Sequence, residues 1–396
     1  MCAGVGRKKG AVQNNKGKAL MCEIKSGQPD KKAAEHLLSW YRESARELPW
    51  RRDTDPYHVW VSEIMLQQTR ISAVMGYYER FMTELPDIPA LAAVPEERLL
   101  KLWEGLGYYS RARNLKAAAE VMTAEYGGTF PKKAEEIRSL PGIGPYTAGA
   151  IGSICFGLPT PAVDGNVLRV LTRINADDSC IDEDAVKKRI TGELAVLYED
   201  LRKKDRGTLT QALMELGQVI CIPKGDPACE DCPLAKVCKA YAEGTVTEYP
   251  VKKKKAERRK EEKTVLLLIG TSGPEYRFAV HKREEKGLLS GLWEFPNLPG
   301  KMDTGEVTER LEEEGFGEVT PRMELPHIHI FSHVEWHMQG IFLELSGSGK
   351  ELPDKLGEIE GIRWISLTQL EEEFAIPSAF APFRKMLFKL YSDPGH

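Results

Sequence analysis

Leu140-Pro141-Gly142-Ile143-Gly144-Pro145-Tyr146, running on into Thr147-Ala148-Gly149-Ala150-Ile151, is the stretch on which the reading of this chain turns. The apolar pattern before it closes one helix, and the pattern after it opens another. Two glycines stand in the turn between them. Glycine carries no Cβ, so such a turn lets a ligand approach the main chain closely. The first N–H groups of the following helix have no partner within the helix, which suits a phosphate oxygen. Gly-x-Gly alone also describes an ordinary helix–helix turn; the specificity lies in the full string.

Downstream stands Pro161-Ala162-Val163-Asp164-Gly165-Asn166-Val167. Asp before a helical run is a good N-cap, and the helix dipole and backbone N–H groups favour its ionised form. A permanent anion is also what a positively charged sugar intermediate needs beside it, so capping and catalysis do not compete at Asp164.

Around these motifs, residues 29–245 read as an all-α module. Apolar spacing of three and four predicts helices over Ala33–Arg46, Tyr57–Phe81, Pro95–Leu102, Ser110–Tyr126, Lys132–Leu140, Tyr146–Phe156, Gly165–Ile174, Asp184–Leu197 and Leu209–Cys221. Residues 246–263 are densely charged and read as a solvated linker. From 264 to 396 the period changes. Thr264–Ile269, Tyr276–Lys282, Val334–Leu345 and Ile362–Ile365 read as strands, Glu306–Glu314 and Pro377–Tyr391 as helices, giving a separate α+β domain.

The chain of 396 residues carries a net charge of −4, unevenly spread: 13 Lys and Arg against 22 Asp and Glu from Thr264 onward, a balance of −9, leaving +5 for the rest. A basic front part is where a phosphate backbone would lie, although solvated surface gives the same imbalance. Residues 1–28 are basic, lack an apolar core and read as a disordered tail rather than a signal peptide. No apolar run is long enough to span a bilayer. Without a secretory signal, the eight cysteines do not suggest a disulfide framework. Four of them, Cys221, Cys229, Cys232 and Cys238, crowd into one segment with the spacing Cys-x7-Cys-x2-Cys-x5-Cys. That suggests metal, and the spacing itself leaves zinc and a [4Fe–4S] cluster both open.

The hairpin resembles the helix–hairpin–helix of DNA repair glycosylases, in which an aspartate follows at about the distance of Asp164 and stabilises the sugar cation. Leu48-Pro49-Trp50-Arg51 together with Trp60-Val61-Ser62-Glu63-Ile64-Met65-Leu66-Gln67-Gln68-Thr69 closely resembles the adenine glycosylases of the MutY type. The resemblance implies that Glu63 is the acid that protonates adenine and that Asn166 and Tyr146 support the carboxylates and water. It also implies that Gln68 and Tyr108 wedge into the base stack, that Gly142 and Gly144 meet the DNA backbone, and that Trp50, Arg51 and Glu215 line the adenine pocket. Strand-cleaving relatives carry a lysine where Tyr146 stands; tyrosine forms no Schiff base, which implies a base-removing enzyme that leaves the strand intact. The endonuclease III-like branch carries a [4Fe–4S] cluster after the catalytic helices, so the resemblance favours a cluster on the four cysteines. The first cysteine gap departs from the family's usual six residues by one (Ile222 to Ala228).

The back domain resembles the Nudix-like domain of MutY enzymes through Gly291-Leu292-Trp293-Glu294-Phe295-Pro296 and Phe331-Ser332-His333. A Nudix hydrolase needs Gly-x5-Glu-x7-Arg-Glu-hydrophobic-x-Glu-Glu-x-Gly. Glu309, Glu312, Glu313 and Gly315 match its tail, but Thr308, Arg310, Gly300 and Glu294 replace the arginine, the hydrophobic, the earlier glutamate and the first glycine. Pyrophosphohydrolase activity is therefore not expected. By resemblance the domain reads 8-oxoguanine opposite the adenine through Phe331, Ser332 and His333. His327, His329, His333 and His337 read as strand surface and packing rather than a metal cluster. The expected partner is double-stranded DNA with A:8-oxoguanine or A:G mispairs, bound by a monomer in the cytoplasm, at a bacterial nucleoid, with no membrane involved. The competing readings are an endonuclease III-like glycosylase for oxidised pyrimidines and a non-catalytic DNA-damage binder. Glu63, Tyr146 and the extra domain oppose the first, and Glu63 together with Asp164 opposes the second.

Overall fold

The structure is a computed structural model, described here for residues 31–254, 256–272, 275–284, 286–346 and 352–392. The tail at 1–28, with Cys2 and Cys22, lies outside the described residues. The first part consists of helices α1 (Lys31–Ser44), α2 (Pro56–Leu66), α3 (Ile71–Glu84), α4 (Ile88–Ala93), α5 (Glu96–Leu102), α6 (Ser110–Glu125), α7 (Ala134–Ser139), α8 (Pro145–Phe156), α9 (Gly165–Asn175), α10 (Asp184–Asp200), α11 (Lys203–Val219) and the short α12 (Lys239–Glu243). Among the described residues no helix is long and apolar enough to cross a membrane.

These helices bury two cores. One gathers residues of α2 to α8, including Trp60, Phe81, Trp103 and Ile151; the other gathers α1 with α9, α10 and α11 through Leu37, Leu171, Leu194 and Leu213. Helix α2 is buried at nearly every position from Val59 to Met65, which is why it lacks a polar face. Asp55 caps its start by accepting from the Tyr57 N–H, with Pro56 at the first helical position. The cleft between the two cores holds the site described below.

The single helix expected over Tyr57–Phe81 is in fact two. Helix α2 ends at Leu66, and Gln68 takes the left-handed conformation with φ of 59° before α3 begins. Arg111 holds this break in place. Arg111, buried on α6, donates through Nη1 to the carbonyls of Ile64 (2.6 Å), Met65 (3.2 Å) and Gln67 (2.8 Å). Helix ends leave carbonyls without partners, and a guanidinium from a distant helix satisfies them here. Apolar periodicity continues through the break and conceals it. Elsewhere α11 begins six residues before the expected Leu209, and α4 was not anticipated.

The second part is a sheet of β1 (Arg259–Ser272), β2 (Glu275–Lys282), β3 (Trp293–Glu294), β4 (Asn297–Pro299), β5 (Glu318–Ile330), β6 (Val334–Ser346) and β7 (Arg363–Ile365). Its main order is β3-β2-β1-β6-β5, with β4 on β1 and β7 on β2. Strands β1 and β6 run parallel, and the other pairs are antiparallel. Helix α13 (Thr304–Glu313) packs on one face through Val307 and Leu311. On the other face lie α14 (Leu367–Glu372) and α15 (Ala381–Tyr391) through Leu370, Phe383 and Leu387. Both faces of β1 are therefore covered, which explains its continuous run Val265–Ile269. Strand β1 starts at Arg259, inside the stretch read as linker, and pairs there with Val334. Strand β5 escaped the sequence reading because its Glu, Pro and His residues mask the alternation.

The two parts touch. Glu104 accepts from the Ile376 N–H (2.8 Å) and from Arg384 (2.6 Å), and Lys101 donates to the carbonyls of Leu370 and Phe374. Arg113 of α6 donates to the Ser290 carbonyl at 3.0 Å, and Leu292 sits in the core of α2–α8.

Candidate active site and nucleic-acid interface

A cleft of about 1100 Å³ opens between the two helical cores, and its lining brings together Trp50, Arg51, Glu63, Gln68, Tyr146, Asp164 and Asn166. These residues are spread over more than a hundred positions of sequence. Glu63 projects from α2, Tyr146 from the second position of α8, and Asp164 caps α9. Sequence reasoning named all of them; their convergence is a fact of the packing of α2 on α8 and of α8 on α11.

Glu63 is buried, and its Oε2 accepts from the Tyr146 hydroxyl at 2.5 Å. Burial pushes its carboxyl up to about 7; the nearby Asp164 charge adds to the rise, while the Tyr146 hydroxyl and Arg51 oppose it. Asp164 accepts from the N–H groups of Asn166 (2.9 Å) and Val167 (2.8 Å) and from Asn166 Nδ2 (2.6 Å). The expected cap is thus present. The expected depression of Asp164 by its helix N-terminus is not: burial raises its pKa, and the hydrogen bonds and Arg169 counter that rise without cancelling it. What separates the two carboxyls is their donors. Among the described residues three N–H groups converge on Asp164, against one hydroxyl on Glu63, so a shared negative charge belongs on Asp164.

Glu215 is fully buried behind the cleft wall rather than in it. Its carboxylate accepts from Arg46 Nε (2.5 Å), Arg46 Nη2 (2.8 Å) and Arg51 Nη2 (2.8 Å). Burial would raise Glu215, but the two arginines outweigh it and hold the carboxyl below its usual range. Its oxygens are committed to those arginines, so it shapes the pocket by holding them. Arg46 itself was missed by the sequence reading. It stands four residues before Trp50, and nothing in its neighbours betrays its contact with Glu215, 169 positions away.

Gln68, in the cleft lining, and Tyr108, on the neighbouring turn, are both exposed, and both adopt left-handed backbone that side chains other than glycine rarely take, with φ of 59° and 46°. Arg111 underlies both turns: besides the α2 carbonyls, its Nη2 donates to Leu106 O (2.8 Å) and Gly107 O (3.1 Å). The Tyr108 hydroxyl meets Ser332 Oγ of the second part at 2.7 Å. Phe331 packs edge-on against Trp336 at 4.8 Å, and His333 is exposed beside Ser332. Arg258 Nε donates to the Phe331 carbonyl, so basic residues of the linker border this loop.

In the hairpin only Gly142 requires glycine for its backbone, with φ of 71° and a Cβ that would come within 2.5 Å of Asn114. Gly144 has ordinary backbone and open space where its Cβ would point, and no side chain caps the N-terminus of α8 behind it. That exposed, uncapped end leaves room for an anion.

Cys221, Cys229, Cys232 and Cys238 line one small apolar cavity with Val170, Ile174, Leu216 and Ile220. The longer first gap is absorbed in the loop at 222–228. Arg173 donates to Cys221 Sγ at 3.2 Å. Asn166 accepts from Arg169 Nη2 at 2.9 Å, and Arg169 Nε donates to Cys221 O at 2.8 Å, so polar contacts run from Asp164 to the cysteine loop. Burial raises the Cys229 and Cys238 thiols and pushes Cys232 up to about 12.

Residues 61–194 match the HhH-GPD superfamily of base excision DNA repair proteins, and residues 265–386 match the NUDIX domain. The adenine DNA glycosylase of Mus musculus is 34% identical over 414 residues, covering 90% of this chain and 77% of its own length. This chain belongs to the adenine DNA glycosylase family. The adenine DNA glycosylase of Buchnera aphidicola subsp. Baizongia pistaciae is 37% identical over 271 residues, covering 67% of this chain and 74% of its own. A thermostable thymine-DNA glycosylase of solved structure has 27% identity and a TM-score of 0.47, over 54% of this chain and 96% of that one. The protein is a DNA N-glycosylase of base excision repair, with DNA as its substrate.

Proposed function

We propose that this glycosylase removes adenine mispaired with 8-oxoguanine or guanine and leaves an abasic site in an intact strand. The observation that carries the reading is the Glu63 carboxyl, held near pKa 7 and bonded to Tyr146 in the same cleft as Asp164. Adenine is unstacked into the cleft, more readily from a mispair than from a sound pair. Glu63, protonated in part at neutral pH, donates to N7 of the base, which then leaves as a neutral species. The sugar passes through an oxocarbenium-like state, and the Asp164 carboxylate, with its three N–H donors, stabilises that charge. Glu63 then receives a proton from the attacking water. Tyr146 and Asn166 hold the two carboxyls in position. Trp50, Arg46 and Arg51 bound the base pocket. Tyr146, lacking an amine, cannot form the sugar adduct that leads to strand cleavage.

Gln68 and Tyr108 fill the space left in the stack, and Phe331, Ser332 and His333 contact the base opposite. Gly142, Gly144 and the start of α8 meet the backbone. The contact of Ser332 with Tyr108 supports this reading, because it brings a residue of the second part to the rim of the first.

Cys221, Cys229, Cys232 and Cys238 fit a [4Fe–4S] cluster. They line one small cavity together. Burial raises the thiols of Cys229, Cys232 and Cys238, so thiolates at those positions call for a metal's charge beside them. Bound there, a cluster would supply a cross-link between the end of α11 and the start of α12.

The test is to incubate the protein with A:8-oxoguanine and thymine-glycol duplexes and read products with and without alkali. Alkali-dependent cleavage at adenine is expected. Cleavage at thymine glycol, or nicking without alkali, overturns the reading.

A further inference from the structure

Arg283, just after β2, lies outside the cleft, yet its side chain and backbone meet both segment 288–292 and Trp336. Its Nη1 donates to both oxygens of Glu294 (2.7 and 2.6 Å), a carboxylate that is 2% exposed and also 3.1 Å from His281. Its Nε donates to the Leu288 carbonyl at 3.1 Å, and its N–H to the Leu292 carbonyl at 2.9 Å. The guanidinium lies 5.7 Å from the ring centre of Trp336, the ring against which Phe331 packs.

The segment 288–292 pinned by these contacts docks on the helical part. Leu289, with φ of 60°, packs against the α2–α8 core, Leu292 is buried in it, and the Ser290 carbonyl accepts from Arg113. A leucine persists in left-handed backbone only where its surroundings over-determine it. Arg113 lies on α6, which starts two residues after Tyr108. The contacts therefore close a ring: Tyr108, α6, segment 288–292, Arg283, Trp336, Phe331, Ser332, and Tyr108 again.

We propose that Arg283 is a positioning residue that sets the register between loop 331–333 and Tyr108, and thereby determines discrimination of the base opposite the adenine. The proposal rests on the reading of Phe331, Ser332 and His333 given above. A planar fork suits the task, because one guanidinium holds Glu294 and the Leu288 carbonyl while lying against an aromatic ring. Lysine, a point charge, keeps the first contact and loses the second.

The test uses the full chain and single-turnover excision of adenine opposite 8-oxoguanine and opposite guanine. Arg283→Met is expected to lower the ratio of the two rates by about tenfold, with excision opposite guanine within about twofold of wild type. Arg283→Lys should fall between. Arg283→Met combined with Ser332→Ala should be little worse than Arg283→Met alone, because both act through one loop. If Ser332→Ala lowers the ratio and Arg283→Met does not, the role of Arg283 is overturned and the loop reading stands. If Ser332→Ala leaves the ratio unchanged, the loop reading falls and this inference with it. A parallel loss of both rates in Arg283→Met and Arg283→Lys would assign Arg283 a purely structural role and also overturn it.

Discussion

At the floor of the cleft, Glu63 is withdrawn from water and bonded to Tyr146, whereas at the rim Gln68, Tyr108 and Ser332 stand in solvent, the first two on strained backbone. On the proposed reading the floor works by desolvation: a carboxyl that would titrate near 4.5 in water is held near 7, within reach of a proton donor's task at neutral pH. The rim achieves its purpose by pre-organisation. Exposed side chains keep a fixed direction because a buried guanidinium, Arg111, gathers the carbonyls of both turns beneath them. One region stores its cost in burial and the other in backbone conformation, so perturbing them should give separable effects.

The largest effect is expected from Glu63→Gln. General acid catalysis contributes roughly 10²–10⁴-fold, so single-turnover excision should fall by that order while binding to a mispaired duplex persists. Near wild-type excision would remove Glu63 from the floor's chemistry. The same variant tests the burial argument through stability. The folded Glu63 binds a proton between pH 4.5 and about 7 where the unfolded chain does not, so wild-type stability declines as pH rises through that window. Above pH 7 the variant, free of that ionisation, should be more stable than wild type, by up to about 3 kcal/mol in denaturant titrations. Excision by the wild type should likewise weaken as pH rises through about 7, the direction in which the acid form is lost.

At the rim, Arg111→Met strands several buried carbonyls and is expected to cost about 2–4 kcal/mol in urea unfolding. Residual folded protein should bind mispaired DNA more weakly than wild type. The two hairpin glycines divide the same way. Gly142→Ala should destabilise by roughly 1–3 kcal/mol, since it meets Asn114 in a left-handed turn. Gly144→Ala should leave stability within about 0.5 kcal/mol and weaken DNA binding, as read by fluorescence anisotropy. Equal effects of the two on stability would break the distinction. Smallest of all, Ser332→Ala removes one exposed hydroxyl; its loss should lower the preference for 8-oxoguanine over guanine by about three- to tenfold, the range of a single hydrogen bond.

Much of the site was legible because its residues sit in local motifs. Asp164 was visible as a cap, Tyr146 by its place after two glycines and a proline, Glu63 by the string from Trp60 to Thr69. The break in the helix at Gln67–Arg70 was not visible, because apolar spacing runs straight through it and its cause, Arg111, lies more than forty residues on. Strand β5 was hidden for a related reason: it is an edge strand whose polar and proline residues are tolerated by the open side. Arg46 was invisible, since an arginine after a helix reads as surface until its partner Glu215 is found.

The fold class, the hairpin, the cysteine segment and the kinds of groups available for chemistry can be read along the chain, because they depend on propensities and spacings within a few turns. The states of those groups came from packing. It raised Glu63 by burying it, raised Asp164 against the pull of its own helix, and turned Glu215 from a pocket residue into the anchor of two arginines. It also joined Ser332 to Tyr108 across 224 positions. The reason is physical: desolvation and charge act through space, over distances that follow the packing of helices and not the order of residues along the chain.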